Sequence, residues 1–438
     1  MQAPALKAKA LRTALALSAA LVAVVPAQAQ KVTEEQAAAT AAAALEAAPV
    51  FDGHNDAPGQ LRSRENNQIN AFDFTDTMDE HDHVGGDDGA MHTDLVRLKK
   101  GKVGAQFWSV YVPHNANEAA AIQQTIEQID VTKRLIARNP ESMRYALTAD
   151  QVETAMRDGK VASLLGMEGG YSIGSSLAVL RQFHAMGARY MTLTHNSNIP
   201  WADAATDSPK HGGLTDFGKD VVREMNRLGM LVDLSHVSED TMMDALDVAK
   251  APVIFSHSGA RAVTPHPRNV PDSVLARLPE NGGVVMVVAL PRFINEKIRQ
   301  WDASRAGELA RLKVVHLGNP DAATKAMDAW LAANPEPKAG VTDIADHIDH
   351  IRKLAGVEHI GIGGDYDGMP IGPVGMEDVS GYPALFTELA RRGYSQAELE
   401  MIASRNILRV MRAAEAYAAS AAGEPPIETL INPPAKAE

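Results

Sequence analysis

The sequence predicts an α/β protein built as a (β/α)8 TIM-type barrel, with an inserted segment between strands seven and eight. First, eight short apolar runs alternate with stretches of helical periodicity, and buried strands separated by helices are typical of a parallel sheet. Second, five of these runs end on or near His or Glu, and the eighth ends on Asp365. Barrels collect functional side chains from many strand ends. A doubly wound open sheet, the competing fold, concentrates them at one switch point.

The eight predicted strands are the apolar runs at 49–54, 102–112, 160–168, 188–195, 230–236, 251–257, 282–290 and 359–365. Between several of them, apolar residues recur at the spacing of a helix face. One such helix carries Phe217, Val221, Met225 and Leu228, and Gly229 follows at a position where helices commonly end.

The N-terminus has the features of a cleaved secretory signal peptide: basic residues, a short apolar run and Ala27-Gln28-Ala29. An uncleaved membrane anchor is the alternative, and no later run is long enough to span a bilayer. The signal predicts a periplasmic or secreted bacterial protein.

The predicted organisation is a signal peptide at 1–29, an Ala-rich leader at 30–48, a barrel at 49–420 with 291–345 inserted, and a Pro-rich tail at 421–438. The insertion is interpreted as a lid, an interface element or plain surface decoration.

The net charge and the absence of cysteine limit the classes of partner and of metal ligand that the chain can use. The chain has 42 basic and 55 acidic residues, a net charge of −13, and no cysteine. An acidic balance disfavours nucleic acid as a partner, because phosphate backbones are bound by basic surfaces. Without cysteine there are no disulfides or thiolate ligands, so a metal site must use His and carboxylate groups.

Five side chains at four strand ends form the main candidate site. His54 and Asp56 follow strand one and project together, since alternate strand residues share a face. Glu168 follows strand three, His236 strand five and His257 strand six. Each alone could be a turn residue, a helix cap or a buried histidine. Together they are too many for one tetrahedral zinc with an open position. They predict two zinc ions bridged by Glu168, whose shared hydroxide would attack a carbonyl.

Three further residues would complete a substrate-sized site. Asp365 could pass a proton from the bridging water to a leaving amine, although a turn aspartate is the alternative. His195 could donate to a developing oxyanion. Arg268 offers a planar fork for a carboxylate, although an arginine in a loop is commonly just solvated.

A second histidine-containing stretch, residues 62–97, includes His81, His83 and His92. It lacks an apolar frame that would hold ligand geometry, so we interpret it as a solvated loop rather than a metal site.

The chain closely resembles the membrane (renal) dipeptidase family, zinc peptidases of the amidohydrolase-like barrel group, from about residue 48 to about 418. The resemblance rests on FDGHNDAP, VGAQFWSVY, GKVASLLGMEGG, RYMTLTHNSNIPWAD, GMLVDLSHVS, APVIFSHSGARAVTPHPRNVPD and GIGGDYDG, in that order. It implies a metallo-dipeptidase that hydrolyses the peptide bond of dipeptides. It also implies that the two zinc ions are held by His54, Asp56, Glu168, His236 and His257. The substrate contacts implied by the resemblance are His195, Arg268 and Asp365, the last of which would handle the substrate amine and the proton.

The chain also departs from the family pattern. Ser197 stands where vertebrate relatives have a cysteine, and Phe293 replaces an aromatic residue that carries a hydroxyl. These differences bear on side-chain specificity and not on the metal chemistry. Two other functions stay open: a different amide or lactam hydrolase on the same di-zinc site, since the same hydroxide can attack other amides, and a non-catalytic binding protein. The sequence also leaves open a D-residue at the second substrate position and a homodimer.

Overall fold

The structure, a computed structural model, describes residues 1–2, 32–70, 72–78, 90–114 and 117–431. Apart from its first two residues, the predicted signal peptide lies outside this range, as do His81 and His83. The strands are β1 (Val50–Asn55), β2 (Val103–Ser109), β3 (Met143–Tyr145), β4 (Val161–Glu168), β5 (Ala188–Thr192), β6 (Leu231–Asp233), β7 (Ile254–Ser258), β8 (Val284–Val287) and β9 (Ile360–Ile362).

Eight of these strands close into a barrel, which confirms the predicted fold class. The sheet order is β2-β1-β9-β8-β7-β6-β5-β4-β3, and an additional pairing of β2 with β4 closes the ring. Neighbouring strands are parallel throughout. The ring strands are buried along nearly their whole length. Because both of their faces are covered, they appear in the sequence as continuous apolar runs rather than alternating ones.

The ninth strand, β3, was not predicted from the sequence. It pairs only with Val161–Ser163 at the start of β4 and lies outside the closed ring. Its three residues, Met-Arg-Tyr, form neither an apolar run nor a clear alternation, so the sequence carries no signal for it.

Helices connect the ring strands and cover the barrel. They are α1 (Glu34–Ala47), α2 (Ala57–Glu65), α3 (Leu95–Lys100), α4 (Glu118–Arg138), α5 (Ala149–Arg157), α6 (Leu177–Met186), α7 (Asp216–Leu228), α8 (Glu239–Val248), α9 (Asp272–Leu275), α10 (Leu278–Asn281), α11 (Pro291–Ile294), α12 (Glu296–Val315), α13 (Pro320–Ala333), α14 (Val341–Leu354), α15 (Tyr382–Arg391), α16 (Gln396–Glu400) and α17 (Asn406–Ser420). A π-helical turn, Met401–Arg405, joins the last two. The predicted amphipathic helix is α7, and Gly229 ends it in the left-handed region, with a φ of 75°.

The inserted segment contains a helical hairpin. Helices α12 and α13 pack against each other, and the rings of Trp301 and Trp330 lie 6.1 Å apart. Only Ile298 and Leu312 of α12 are buried. The hairpin therefore rests on the body through few side chains, and its role as lid or interface stays a prediction.

The Ala-rich leader forms α1 and packs on α15 and α16. Thr33 and Gln36 form a capping box at its start. The described tail residues after α17 have no regular structure up to 431, and side chains hold them in place. Arg181 donates to the Ile427 carbonyl at 3.0 Å, and the Thr429 hydroxyl donates to Asp220 at 2.6 Å. Within the described ranges, no helix is both long and apolar enough to cross a bilayer.

Candidate metal centre

The five predicted ligands meet at the C-terminal rim of the barrel, around the carboxylate of Glu168. Glu168 is the last residue of β4, and its two oxygens face different histidines. Its Oε2 lies 3.5 Å from His54 Nε2. Its Oε1 lies 3.0 Å from His236 Nε2 and 3.4 Å from His257 Nε2. Asp56 Oδ2 lies 3.2 Å from His54 Nε2, on the first side of the carboxylate.

The donor atoms fit a divalent metal. Three overlapping groups have their ligand atoms within 4.8 Å of one another: His54, Asp56 and Glu168; Glu168, His236 and His257; and His54, His257 and Asp365. His54 Nε2 is buried and makes no hydrogen bond, although buried polar atoms nearly always have a partner. Nitrogen and carboxylate donors without thiolates suit borderline-hard ions such as zinc.

Two of the three histidines have protonation states that agree with metal binding. Burial lowers the pKa of His236 and of His257 well below the ordinary value, which keeps both rings neutral, the form that binds metal. His54 differs: burial alone would lower its pKa, but Tyr190 and the charges of Glu168 and Asp56 raise that pKa well above the ordinary value, so metal binding would release its proton. Burial alone would raise the pKa of Glu168, but the charges of His54 and His195 hold that pKa well below its usual range. The bridging candidate is therefore a carboxylate.

Residues behind the ligands orient their rings. The Tyr190 hydroxyl lies 2.8 Å from His54 Nδ1. The Ser256 hydroxyl lies 2.8 Å from His257 Nδ1 and donates to Asp233 at 2.6 Å. These contacts direct both Nε2 atoms into the centre, as is usual for metal-binding histidines. Sequence reasoning missed these three residues, whose only signal is a polar group within or beside an apolar strand.

The backbone at the rim is unusual at two of the predicted residues. His236 and Asp365 have φ values of 67° and 64°, in the left-handed region that non-glycine residues rarely occupy. Such conformations persist where the surroundings impose them, and they concentrate at functional sites. Gly368 lies beside the same site, and a Cβ there would come within 2.3 Å of Asp56 Oδ2.

A cavity of about 350 Å³ opens over the centre. It is lined by Asp56, Gly59, Gln60, Tyr111, Glu168, His195, Asn196, His236, His257, Arg268, Leu290, Arg292, Phe293, Asp365, Asp367 and Gly368. The predicted substrate residues His195, Arg268 and Asp365 thus line the same cavity. Gln60, Tyr111, Asn196 and Arg292 were not identified from the sequence. Gln60 and Arg292 lie outside the strand-end pattern, and Tyr111 and Asn196 lie at predicted strand ends but are neither His nor a carboxylate.

Arg268 and Asp365 are both buried and carry perturbed pKa values. Arg268 is 1% exposed, and its Nη2 donates to the His257 carbonyl at 3.3 Å, while its Nε has no partner. Burial lowers the pKa of Arg268 to about 10, so the side chain stays cationic at neutral pH. Burial raises the pKa of Asp365 to about 8, and the nearby positive charge of His54 opposes this shift.

One interpretation is wrong where the structure describes it. The sequence predicts a solvated loop at 62–97, but His92 contacts Asp367, which lines the cavity. Its backbone N–H donates to Asp367 Oδ1 at 2.7 Å, and the Asp367 N–H donates to His92 Nδ1 at 3.1 Å. A contact between residues more than 270 positions apart in the chain cannot be predicted from the local sequence.

Comparison with known proteins identifies the family. The family model described as membrane dipeptidase (peptidase family M19) matches residues 38–424. The chain belongs to the membrane dipeptidase family. Its members are metallopeptidases that act on dipeptides, and the resemblance inferred from the motifs is thereby confirmed, as is the assignment of the chain as a metallo-dipeptidase.

Relatives agree with this assignment. The chain is 40% identical over 385 residues to dipeptidase tcpJ of Claviceps purpurea (strain 20.1), covering 86% of this chain and 79% of that protein. The probable dipeptidase PvdM of Pseudomonas aeruginosa shares the fold, with a TM-score of 0.72 and 23% identity over 87% of this chain and 99% of that one. A metallopeptidase of Rhodobacter sphaeroides, liganded with a phosphinate mimic of L-Ala-D-Ala, has a TM-score of 0.64 and 25% identity over 84% of this chain and 99% of that one.

Proposed function

We propose that this dipeptidase uses two zinc ions, one held by His54, Asp56 and Glu168 and the other by Glu168, His236 and His257. The observation that carries the proposal is the division of the Glu168 carboxylate, whose Oε2 faces His54 and whose Oε1 faces His236 and His257. Two ions, one at each oxygen, would use the donor groups on both sides of this carboxylate. When bound, two zinc ions would polarise the scissile carbonyl and lower the pKa of a water shared between them, so that it attacks as hydroxide.

The protein's own residues have separate tasks in this proposal. The Asp365 carboxylate takes the proton from the attacking water and returns it to the nitrogen of the departing amine. Its position suits this task, because a carboxylate oxygen of Asp365 lies within 4.8 Å of ring nitrogens of His54 and His257. His195 donates a hydrogen bond to the oxygen on which negative charge develops. Arg268 binds the free carboxylate of the second residue.

The cavity suits a small zwitterion. The cavity is lined by the carboxylates of Asp365 and Asp367 and by the guanidinium groups of Arg268 and Arg292, so a substrate with a free amine and a free carboxylate finds both signs of charge there. A volume of about 350 Å³ accommodates two residues rather than a long peptide. Since the Rhodobacter sphaeroides relative binds a mimic of L-Ala-D-Ala, we include dipeptides with a D-residue at the second position among the substrates.

We also place the mature protein in the periplasm or outside the cell, on the basis of the basic, apolar and Ala-Gln-Ala segments at 1–29. N-terminal sequencing of the protein from its native host would start at Gln30 if the signal is cleaved as proposed. Sedimentation of the purified protein would show whether it is a monomer or a homodimer, which the sequence leaves open.

One experiment tests the function. Purified protein is loaded with zinc, its metal content is measured, and kcat/KM is compared for L-L dipeptides, L-D dipeptides, N-acyl amino acids and lactams. We expect two zinc ions per chain and the highest kcat/KM on dipeptides. Faster turnover of N-acyl amino acids or lactams would favour the alternative hydrolase. Absence of bound metal, with no turnover after any divalent ion is added, would refute the proposal.

A further inference from the structure

Two arginines, Arg268 and Arg292, line the cavity, and they supply more positive charge than one substrate carboxylate requires. The guanidinium carbon of Arg268 lies 5.3 Å from the centre of the Phe293 ring, and that of Arg292 lies 5.7 Å from the same centre. Both arginines line the cavity together with Phe293. In the proposed function, Arg268 binds the α-carboxylate, and Arg292 has no assigned task.

Arg292 also lacks a neutralising partner. Two nearby arginines are paired: Arg261 with Glu239 at 2.8 Å and Arg299 with Glu296 at 2.6 Å. Among the described residues, no carboxylate lies within ion-pair distance of Arg292. A guanidinium at the mouth of an active site, without a protein counter-ion, attracts an anionic group of a ligand.

The arginines near Phe293 also affect the pKa of His266, which packs against the same ring. The ring of His266 lies 4.3 Å from the Phe293 ring. Burial, and after it the positive charges of Arg268 and Arg292, lower the pKa of His266 to about 3. A neutral His266 adds no further charge, so the positive electrostatic potential beside Phe293 comes from the arginines.

The two arginines differ in their freedom to move. Arg268 is buried, so its position is fixed, whereas Arg292 is exposed and its long side chain can adapt. Both guanidinium groups lie close to the Phe293 ring, which offers an apolar surface to the carbons between two charged groups. A single amino-acid residue with one carboxylate on its α-carbon and another on its side chain matches this arrangement, and aspartate and glutamate are such residues.

We propose that Arg292 is a specificity-determining residue that binds the side-chain carboxylate of an acidic second residue, so that the enzyme prefers dipeptides ending in Asp or Glu. This inference rests on the proposed function, in which Arg268 holds the α-carboxylate of the same residue.

The test compares Ala-Asp with Ala-Asn, which differ by one charge at nearly constant shape. The zinc-loaded wild type, Arg292→Gln and a control, Arg299→Gln, are assayed on both dipeptides, with the second residue in the L and in the D form. We expect the wild type to favour Ala-Asp by at least about fivefold in kcat/KM, mainly through KM, since a partly exposed charge-assisted pair contributes modestly. We expect the ratio to approach one in Arg292→Gln and to persist in Arg299→Gln, whose arginine is already paired with Glu296.

A second measurement does not depend on the chemical step. Free aspartate and asparagine, the released products, are compared as competitive inhibitors of Ala-Ala hydrolysis, and aspartate should bind more tightly to the wild type but not to Arg292→Gln. Hydrolysis of Ala-Asn by a wild type with no preference for Ala-Asp would overturn the inference and leave the dipeptidase function intact. A wild type that hydrolyses none of the dipeptides would overturn the proposed function, and this inference with it.

Discussion

Replacement of Arg268 by alanine should weaken substrate binding by an amount that the structure allows us to work out. The side chain is 1% exposed, its Nε has no partner, and its Nη atoms make only long contacts of 3.3 and 3.5 Å. The fork is thus available for a carboxylate, and burial protects the pair from screening by salt. A hydrogen bond to a charged group contributes about 1.5–3 kcal/mol. Loss of a two-pronged pair should cost about 3 kcal/mol, which raises KM about a hundredfold.

The assay separates this contact from general damage to the site. KM and kcat are measured for wild type and Arg268→Ala on a dipeptide and on the same dipeptide with its carboxylate converted to an amide. If Arg268 binds the carboxylate, the substitution affects the dipeptide about a hundredfold more than the amide, the coupling that a double-mutant cycle isolates. Arg268→Met, which retains the apolar stem, should give the same coupling and shows whether lost packing contributes.

Two results would refute the reasoning. One is an equal loss on both substrates, which would mean that Arg268 supports the site without touching the carboxylate. The other is an unchanged KM together with an unchanged kcat, which would remove Arg268 from substrate binding altogether.

Three further predictions concern the metal centre and the stability of the fold. Glu168→Gln should lose metal and activity together, measured as metal per chain and kcat, because an amide cannot supply two anionic oxygens. Tyr190→Phe should weaken metal affinity about 10- to 100-fold in a chelator competition, because it removes the contact that orients His54. His347→Asn should flatten the pH dependence of stability between pH 6.5 and 4. Burial lowers the pKa of His347 to about 4, so the unfolded chain binds more protons in this window, and stability, complete above pH 6.5, falls by about 3 kcal/mol as pH drops through 4.

Each of these predictions has a contrary outcome. A fully active Glu168→Gln protein with two bound zinc ions would rule out the bridging role. Unchanged chelator competition in Tyr190→Phe would show that packing alone orients His54. Denaturant unfolding gives the stability of wild type and His347→Asn at pH 7.5 and pH 5. We expect the wild type to lose more stability between these two pH values, because asparagine can still accept the N–H of Ala260 but does not titrate. Equal losses would assign the acid sensitivity to other groups.

The barrel and the metal centre could be predicted from the sequence because both follow from local patterns. Buried parallel strands appear as apolar runs, and polar residues such as Glu168 stand out where those runs end. Arg292 lies in the four-residue helix α11, which has no periodicity to mark it. His92 meets Asp367 only because the barrel brings two distant loops together. The contacts behind the ligands depend on tertiary packing, which short motifs do not encode.

Pairing of the first ring strand with the last has a consequence for how the enzyme binds metal. β1 lies beside β9, and the Asp365 N–H donates to the His54 carbonyl at 3.1 Å. A growing chain, or a fragment that stops before residue 360, leaves the rim open beside His54. All five proposed ligands precede residue 258, so such a fragment still contains them, but it lacks the strand that borders β1. Because metal binding is coupled to folding of the ligand frame, we expect the fragment to bind metal more weakly than the whole chain.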